Sequence, residues 1–554
     1  MPKRLWAIGV RVGVGVSSLL AAACSSSPPA PKPLAACTAT SGGMVNLGVA
    51  AYTAVDPTQT AGCAVFPANG STSAAEEYLV IAQSASNTGD DSQAFKLGGN
   101  ALAAPPRAAV VAPGPSIAQR FDFTLRRAER ELALQAPQRR RPAATGPARV
   151  ITPGSSSTFK VCGDLTCSTH PAVTATAKTV GVHVAVYVDN ASPDTLATVD
   201  LDSVAAVFDT LLYPTDTAAF GRESDIDGNG LVLVLMTPKV NSLVTTAQCN
   251  DPAGGFVAGY FFGGDLVTGF SGGNSAEIFY SMSPDPAGTV SCMHSTTEVK
   301  KLVPVTFIHE FQHMISFNQH FLIRGGFPED LWLNEGMSHY AEENGGRLFL
   351  ADTATLCEFV GGDLYNAGLY LGAPQNHFLV DTAGIGGLAE RGAYWLFVRF
   401  LVDQFAGGTT QAAANAFTRS LDATNQLGVA NVVARTGTPF STLVERWTLA
   451  NYVSDLPSFP TPPELQYVKW QFRTAFPAFN SKCSSKIPGT FPLVPPSVTG
   501  SSAQLAGMLR AGSGSFYLMQ QAPSAPSFTL LFSNSVGAAL RTTIVPQLAI
   551  LRLQ

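Results

Sequence analysis

The chain has 554 residues, 46% hydrophobic and only 13% charged, with 51 glycines, 38 prolines and a formal net charge of −5. That length exceeds one ordinary hydrophobic core and predicts roughly two to four domains, and the Gly and Pro content favours turn-rich β structure over a helical bundle. The acidic balance excludes a nucleic-acid binder that works through a basic surface, and the one dense basic run, Arg139-Arg140-Arg141, reads as a solvated linker.

At the N-terminus, Lys3 and Arg4 precede a mostly apolar stretch from Leu5 to Leu20 and the small residues Ala21-Ala22-Ala23, the order of an export signal. The string LLAAAC resembles a bacterial lipobox, which implies a signal peptide over 1–23 and lipidation of Cys24. Lipoboxes more often carry Leu three residues before the cysteine, where this chain has Ala21. The following SSSPPAPKP suits a Ser/Pro tether over 24–36. No later stretch is apolar enough to span a bilayer. The expectation is an exported protein of the bacterial cell envelope, held on the outer face of a membrane by lipidated Cys24.

Of nine cysteines, Cys24 leaves eight, an even number that predicts four disulfides in an exported chain. Nearest-neighbour pairing gives Cys37–Cys63, Cys162–Cys167, Cys249–Cys292 and Cys357–Cys483. None has the CxxC spacing of a zinc ribbon or redox centre.

Residues 37–110 read as an N-terminal β domain, with Glu77 to Ser86 as its clearest strand. Residues 111–149 read as a linker and candidate prosegment, with one charged helix around Phe121–Leu134. Residues 150–473 have the order of an α+β catalytic domain. Strands are expected at Gly181–Asn190, Leu231–Thr237, Ala258–Leu266 and Ala276–Ser283, with a helix over Asp200–Pro214 capped by Asp200. Three longer helices follow, over Val303–Phe317, Pro328–Asn344 and Ala389–Phe405. Residues 474–554 return to strand-and-turn texture and read as a C-terminal β module.

The chemistry concentrates on the first two of those three helices. HEFQH occupies 309–313 inside an apolar helical frame, with Pro304 placed in the first turn. A four-residue step turns a helix by about 400°, so His309 and His313 leave one face a turn apart and suit one Zn²⁺. Glu310 sits on the rim of that face, where it can take a proton from water without being a ligand. A third, anionic ligand comes from the next helix: Glu335 of PEDLWLNEGMSHYAEE, with Pro328, Glu329 and Asp330 in its first turn. Three protein ligands leave the open position that a catalytic zinc needs. The bland alternative is two histidines on an ordinary amphipathic helix.

HExxH followed by WLNEG resembles the gluzincins, and HEFQHMISF together with WLNEGMSHYAEE resembles the hyicolysin family of neutral metalloendopeptidases, over about Val150 to Gly407. The resemblance implies a zincin-like catalytic domain, a twisted sheet followed by active-site helices, with His309, His313 and Glu335 as zinc ligands and Glu310 as general base and acid. The GxMEN string of the gluzincin aminopeptidases does not occur, and Ala389 stands where that branch places its transition-state Tyr, so endopeptidase activity on proteins or peptides is the expectation. Tyr394, His377 and His339 are candidates to steady the transition state. His339, one turn after Glu335, is also a candidate hydrogen-bond partner of a ligand. The strand Ala276–Ser283 is expected to offer an edge to an extended substrate.

Asp225, Asp227 and Asn229, with Gly230 after them, match the first half of an EF-hand loop and make Ca²⁺ a second candidate ion. The closing Glu is missing, because position twelve is Met236, so an ordinary acidic turn remains the alternative. Two other functions compete with the endopeptidase: a surface-binding adhesin lipoprotein with a vestigial metal site, and a zinc aminopeptidase. The sequence leaves the oligomeric state open.

Overall fold

The computed structural model describes residues 32–99, 114–135, 150–251, 254–267 and 269–554. The expected signal peptide, Cys24 and the Arg139–Arg141 run lie outside these. Strands β1 (Tyr52–Val55), β2 (Cys63–Phe66), β3 (Glu76–Ser84) and β4 (Ser92–Gly98) precede helix α1 (Ile117–Gln135). Next come β5 (Ser156–Lys160), β6 (Ala172–Val180), β7 (Val184–Asp189), α2 (Thr198–Val207), a π-helical turn at Phe208–Leu212, α3 (Tyr213–Ala219) and β8 (Val232–Met236). Two short helices, α4 (Pro238–Asn241) and α5 (Thr246–Asn250), lead to β9 (Gly259–Phe261) and β10 (Ile278–Ser281). The helical part contains α6 (Thr296–Phe317), α7 (Leu331–Arg347), α8 (Thr353–Gly372), α9 (Leu388–Phe405), α10 (Gln411–Asp422), α11 (Gly428–Thr436), α12 (Phe440–Val453) and α13 (Phe472–Lys482). The chain ends in β11 (Ser497–Thr499), β12 (Gln504–Arg510), β13 (Gly514–Gln521), β14 (Phe528–Asn534) and β15 (Pro546–Arg552).

The mixed α+β class is as expected, but the two terminal β segments are not separate modules. Their strands alternate in two shared sheets, ordered β1-β15-β3-β13-β11 and β12-β4-β14-β2. Sequence periodicity marks a strand but does not name its partner, and neither segment alone can cover its own apolar faces. β3 shows why. Tyr78, Val80 and Ala82 point into the core between the two sheets, whereas Leu79 and Ile81 point into the large core shared with the helices. A strand buried on both faces reads as one continuous apolar run. Thr448 of α12 donates its hydroxyl to Gln83 Oε1 of β3 at 2.6 Å across this junction.

The third sheet has the order β5-β6-β7-β8-β10-β9. β7, β8 and β10 are parallel neighbours, and β9 runs antiparallel to β10 at the rim. The strand in Ala276–Ser283 is therefore interior, hydrogen-bonded on both sides, and the free edge belongs to β9. α6 lies against β9 and β10 and carries the HEFQH segment across them.

Several expected boundaries shift. α6 begins at Thr296, where Ser295 Oγ accepts the Glu298 N–H at 3.1 Å, so Pro304 lies inside the helix and not in its first turn. Its ring removes one ladder hydrogen bond, but burial of the flanking Val303 and Phe307 holds the helix through it. Asp200 is not a cap: α2 starts after Ala197, and Asp200 pairs with Lys300 of α6. Pro328, Glu329 and Asp330 precede α7, because the buried Glu329 carboxylate is taken by Gly428 N–H and Asn431 Nδ2. α1 is also no free linker. It docks through Phe121, Leu125, Arg126 and Glu129, all buried.

All four cysteine pairs form as expected: Cys37–Cys63, Cys162–Cys167, Cys249–Cys292 and Cys357–Cys483. Such bonds persist in oxidising compartments, which suits a protein outside the cytoplasm. Among the described residues, no helix is long and apolar enough to cross a membrane.

Candidate metal centre

His309 and His313 leave one face of α6 and Glu335 leaves α7. Glu342 pairs with His309, and Ser338 with His313, so the contacts run in opposite directions along the two helices and make them antiparallel. α7 seats deeply because Gly336 has no side chain. A Cβ there would meet Tyr394 O and Val398 Cγ2 of α9, each at 2.8 Å.

His313 Nε2 is 3.2 Å from Glu335 Oε1, and His309 Nε2 is 3.7 Å from Glu335 Oε2. One ligand atom from each of the three residues falls within 4.8 Å of the others. Burial lowers the pKa of both imidazoles, so the rings are neutral and offer lone pairs instead of forming ion pairs with Glu335. Both Glu335 oxygens are buried, and the Arg391 guanidinium lies against Oε2. A buried carboxylate calls for compensating positive charge. Two neutral imidazoles and one such carboxylate fit a divalent ion of the zinc type.

A second group, His309, His339 and Glu342, overlaps the first. His309 Nδ1 lies 2.6 Å from Glu342 Oε1. A carboxylate there holds the proton on Nδ1 and leaves Nε2 for the ion. His339 Nδ1 is 3.2 Å from Glu342 Oε1 and 2.9 Å from Asp363 Oδ1. Burial pushes the His339 pKa down, but Glu342 and Asp363 outweigh it and raise it to about 10. The His339 ring packs against the His309 ring, centroids 5.0 Å apart, and meets Glu342, the same acid that holds His309.

Glu310 Oε2 accepts the Phe261 N–H of the edge strand at 2.9 Å. Burial raises its pKa to about 8 against the pull of Arg126, which suits a group that must both take and give a proton. Tyr394 donates its hydroxyl to Asp381 Oδ2 at 3.2 Å, beside Glu335 and Arg391. His377 is tied instead to the start of α9, its Nδ1 2.7 Å from Glu390 Oε1. The structure thus brings His309, Glu310, His313, Glu335 and His339 together, places Tyr394 beside them, and engages His377 elsewhere.

α1 covers this cleft. Arg126 donates to Phe261 O at 2.6 Å, and Glu129 Oε1 accepts the Gly263 N–H at 2.7 Å. Asp122 Oδ2 holds Arg391 at 3.0 Å, and Arg391 in turn touches Glu335. Gln119 and Phe123 close the space over Glu335 to about 10 Å³, room for one water at most.

Sequence reasoning missed Glu342, Asp363, Arg391 and Asp122. Glu342 had a signal, since 335, 339 and 342 recur at helical spacing on one face; the other three come from distant elements.

No family model matches the chain. A curated relative, the neutral metalloprotease ShpI of Staphylococcus hyicus, is 30% identical over 141 residues, which is 25% of this chain and 30% of that protein. The chain thus spans less than a third of that relative's length. The likeness supports a metalloprotease relationship and, with it, a bound metal.

Proposed function

We propose that the chain is an exported zinc endopeptidase with a zincin-like catalytic domain, in which His309, His313 and Glu335 hold the ion. The observation that carries this reading is the buried Glu335 carboxylate facing two neutral imidazoles, with one ligand atom from each of the three residues within 4.8 Å of the others. When bound, zinc supplies Lewis-acid chemistry for a peptide carbonyl and its attacking water. Glu310 takes the proton of that water and delivers it to the leaving nitrogen. Glu342 keeps the His309 ring turned toward the ion. The β9 edge and the turn after it offer Phe261 O and Gly263 N–H to an extended peptide running alongside.

Those two backbone groups are the ones that Arg126 and Glu129 of α1 occupy. In this reading α1 is a prosegment, and the form described is latent. The likeness to a neutral metalloprotease and the four disulfides support an exported peptidase. Attachment through lipidated Cys24 is part of the proposal, and Cys24→Ser should move the protein from the membrane fraction to the soluble one.

The test is metal analysis together with casein digestion, before and after limited trypsin treatment that cuts on both sides of α1, at Arg107 and near Arg139–Arg141, because β1–β4 stay paired with the C-terminal strands. About one zinc per chain, and chelator-sensitive internal cleavage that appears after trypsin, support the reading. Zinc-loaded, processed protein that leaves casein intact overturns it, as does release of N-terminal residues alone.

A further inference from the structure

The loop between α3 and β8 lacks the closing Glu of an EF-hand, and the tertiary fold brings a different one to it. Glu277, the residue before β10, is 1% exposed. Its Oε1 accepts Ser224 Oγ–H and the Ile226 N–H at 3.0 Å from the loop, while its Oε2 is buried and has no hydrogen-bond partner. One oxygen each of Asp225, Asp227 and Glu277 lies within 4.8 Å of the other two. Within the loop, Asp225 Oδ1 accepts the Gly230 N–H at 3.1 Å, and Asp227 Oδ2 accepts Asn229 Nδ2–H at 2.7 Å. Gly228 and Gly230 take φ of 69° and 71°, the left-handed conformation that glycine adopts without strain and that wraps the loop round its own carboxylates.

We infer that Asp225, Asp227 and Glu277 form a Ca²⁺ site that staples the α3–β8 loop to the start of β10. Three carboxylates drawn this close repel one another unless a cation sits among them. An all-oxygen set on a glycine-bent loop suits calcium; magnesium demands a stricter octahedron and keeps more of its water. Asn229 takes a different part from the one its EF-hand position suggests, because its Oδ1 accepts the Leu231 N–H at 2.6 Å and closes the turn. The inference does not rest on the peptidase reading. It does bear on the same sheet, because β10 carries β9, whose Phe261 meets Glu310.

The experiment is calcium titration by calorimetry and thermal melting on the full chain, stripped with EGTA and resupplied with zinc. Wild type should bind about one Ca²⁺ per chain with a rise in Tm, and equal Mg²⁺ should do markedly less. Glu277→Gln should weaken calcium binding by about tenfold or more. If that variant does not fold, Asp225→Ala on the loop surface replaces it, with the same expectation. Wild type that neither binds calcium nor shifts its melting point overturns the inference, and so does a folded variant with wild-type affinity. Zinc content, measured in parallel, should not change with calcium or with these variants, so failure of this site and failure of the zinc site are told apart.

Discussion

His309 turns its Nδ1 to Glu342 Oε1, 2.6 Å away, and so directs its Nε2 at Glu335. Glu342 stands seven positions after Glu335 on the same helix, so a single element supplies both a ligand and the group that orients another ligand.

Glu342→Gln should therefore weaken zinc binding by about 10–100-fold without removing any ligand. Competition with a graded chelator measures this, and unchanged affinity would remove Glu342 from the site.

Glu310→Gln should keep its zinc and lose activity by on the order of 10²–10⁴. Glu335→Ala should lose the zinc itself. Metal content and peptide turnover, measured on the same preparations, separate a proton carrier from a ligand.

Arg126→Ala should raise the activity of the unprocessed chain by about tenfold, since it removes a buried charge-assisted contact to Phe261 O. After α1 has been cut away, the same substitution should have no effect. A variant that stays as inactive as the unprocessed wild type would argue against α1 as the block.

Gly336→Ala should lower stability by about 1–3 kcal/mol, because the new Cβ meets the Tyr394 backbone, which cannot step aside. It should weaken zinc binding as well, by displacing Glu335 next to it. Gly361→Ala on α8 meets open space and should instead stabilise by about 0.5–1 kcal/mol. Thermal melting of the two variants gives shifts of opposite sign if the close helix contact is real.

The chemistry of the centre was legible because it is local. His309, Glu310 and His313 lie on one helix turn, and Glu335 follows on the next helix, so spacing alone puts them on usable faces. Nearest-neighbour cysteine pairing held as well, even for Cys357–Cys483, which ties α8 to the end of α13. What failed was whatever depended on how separate elements pair in space. β10 reads as an edge until β9 is seen to pair with it. Glu277 reads as part of a strand until its side chain is seen under the Asp225 loop. The two β segments read as separate modules until β3 is found between β13 and β15.

The order of residues by itself determined which side chains could act, because helical spacing and donor chemistry are properties of a few consecutive positions. Only the tertiary structure decided which strand is the free edge, which acid steadies His309 and which helix lies across the cleft. These depend on burial and pairing between separate elements, 33 residues apart for His309 and Glu342 and 135 for Arg126 and Phe261, and no local pattern of apolar and polar residues encodes the identity of such a partner.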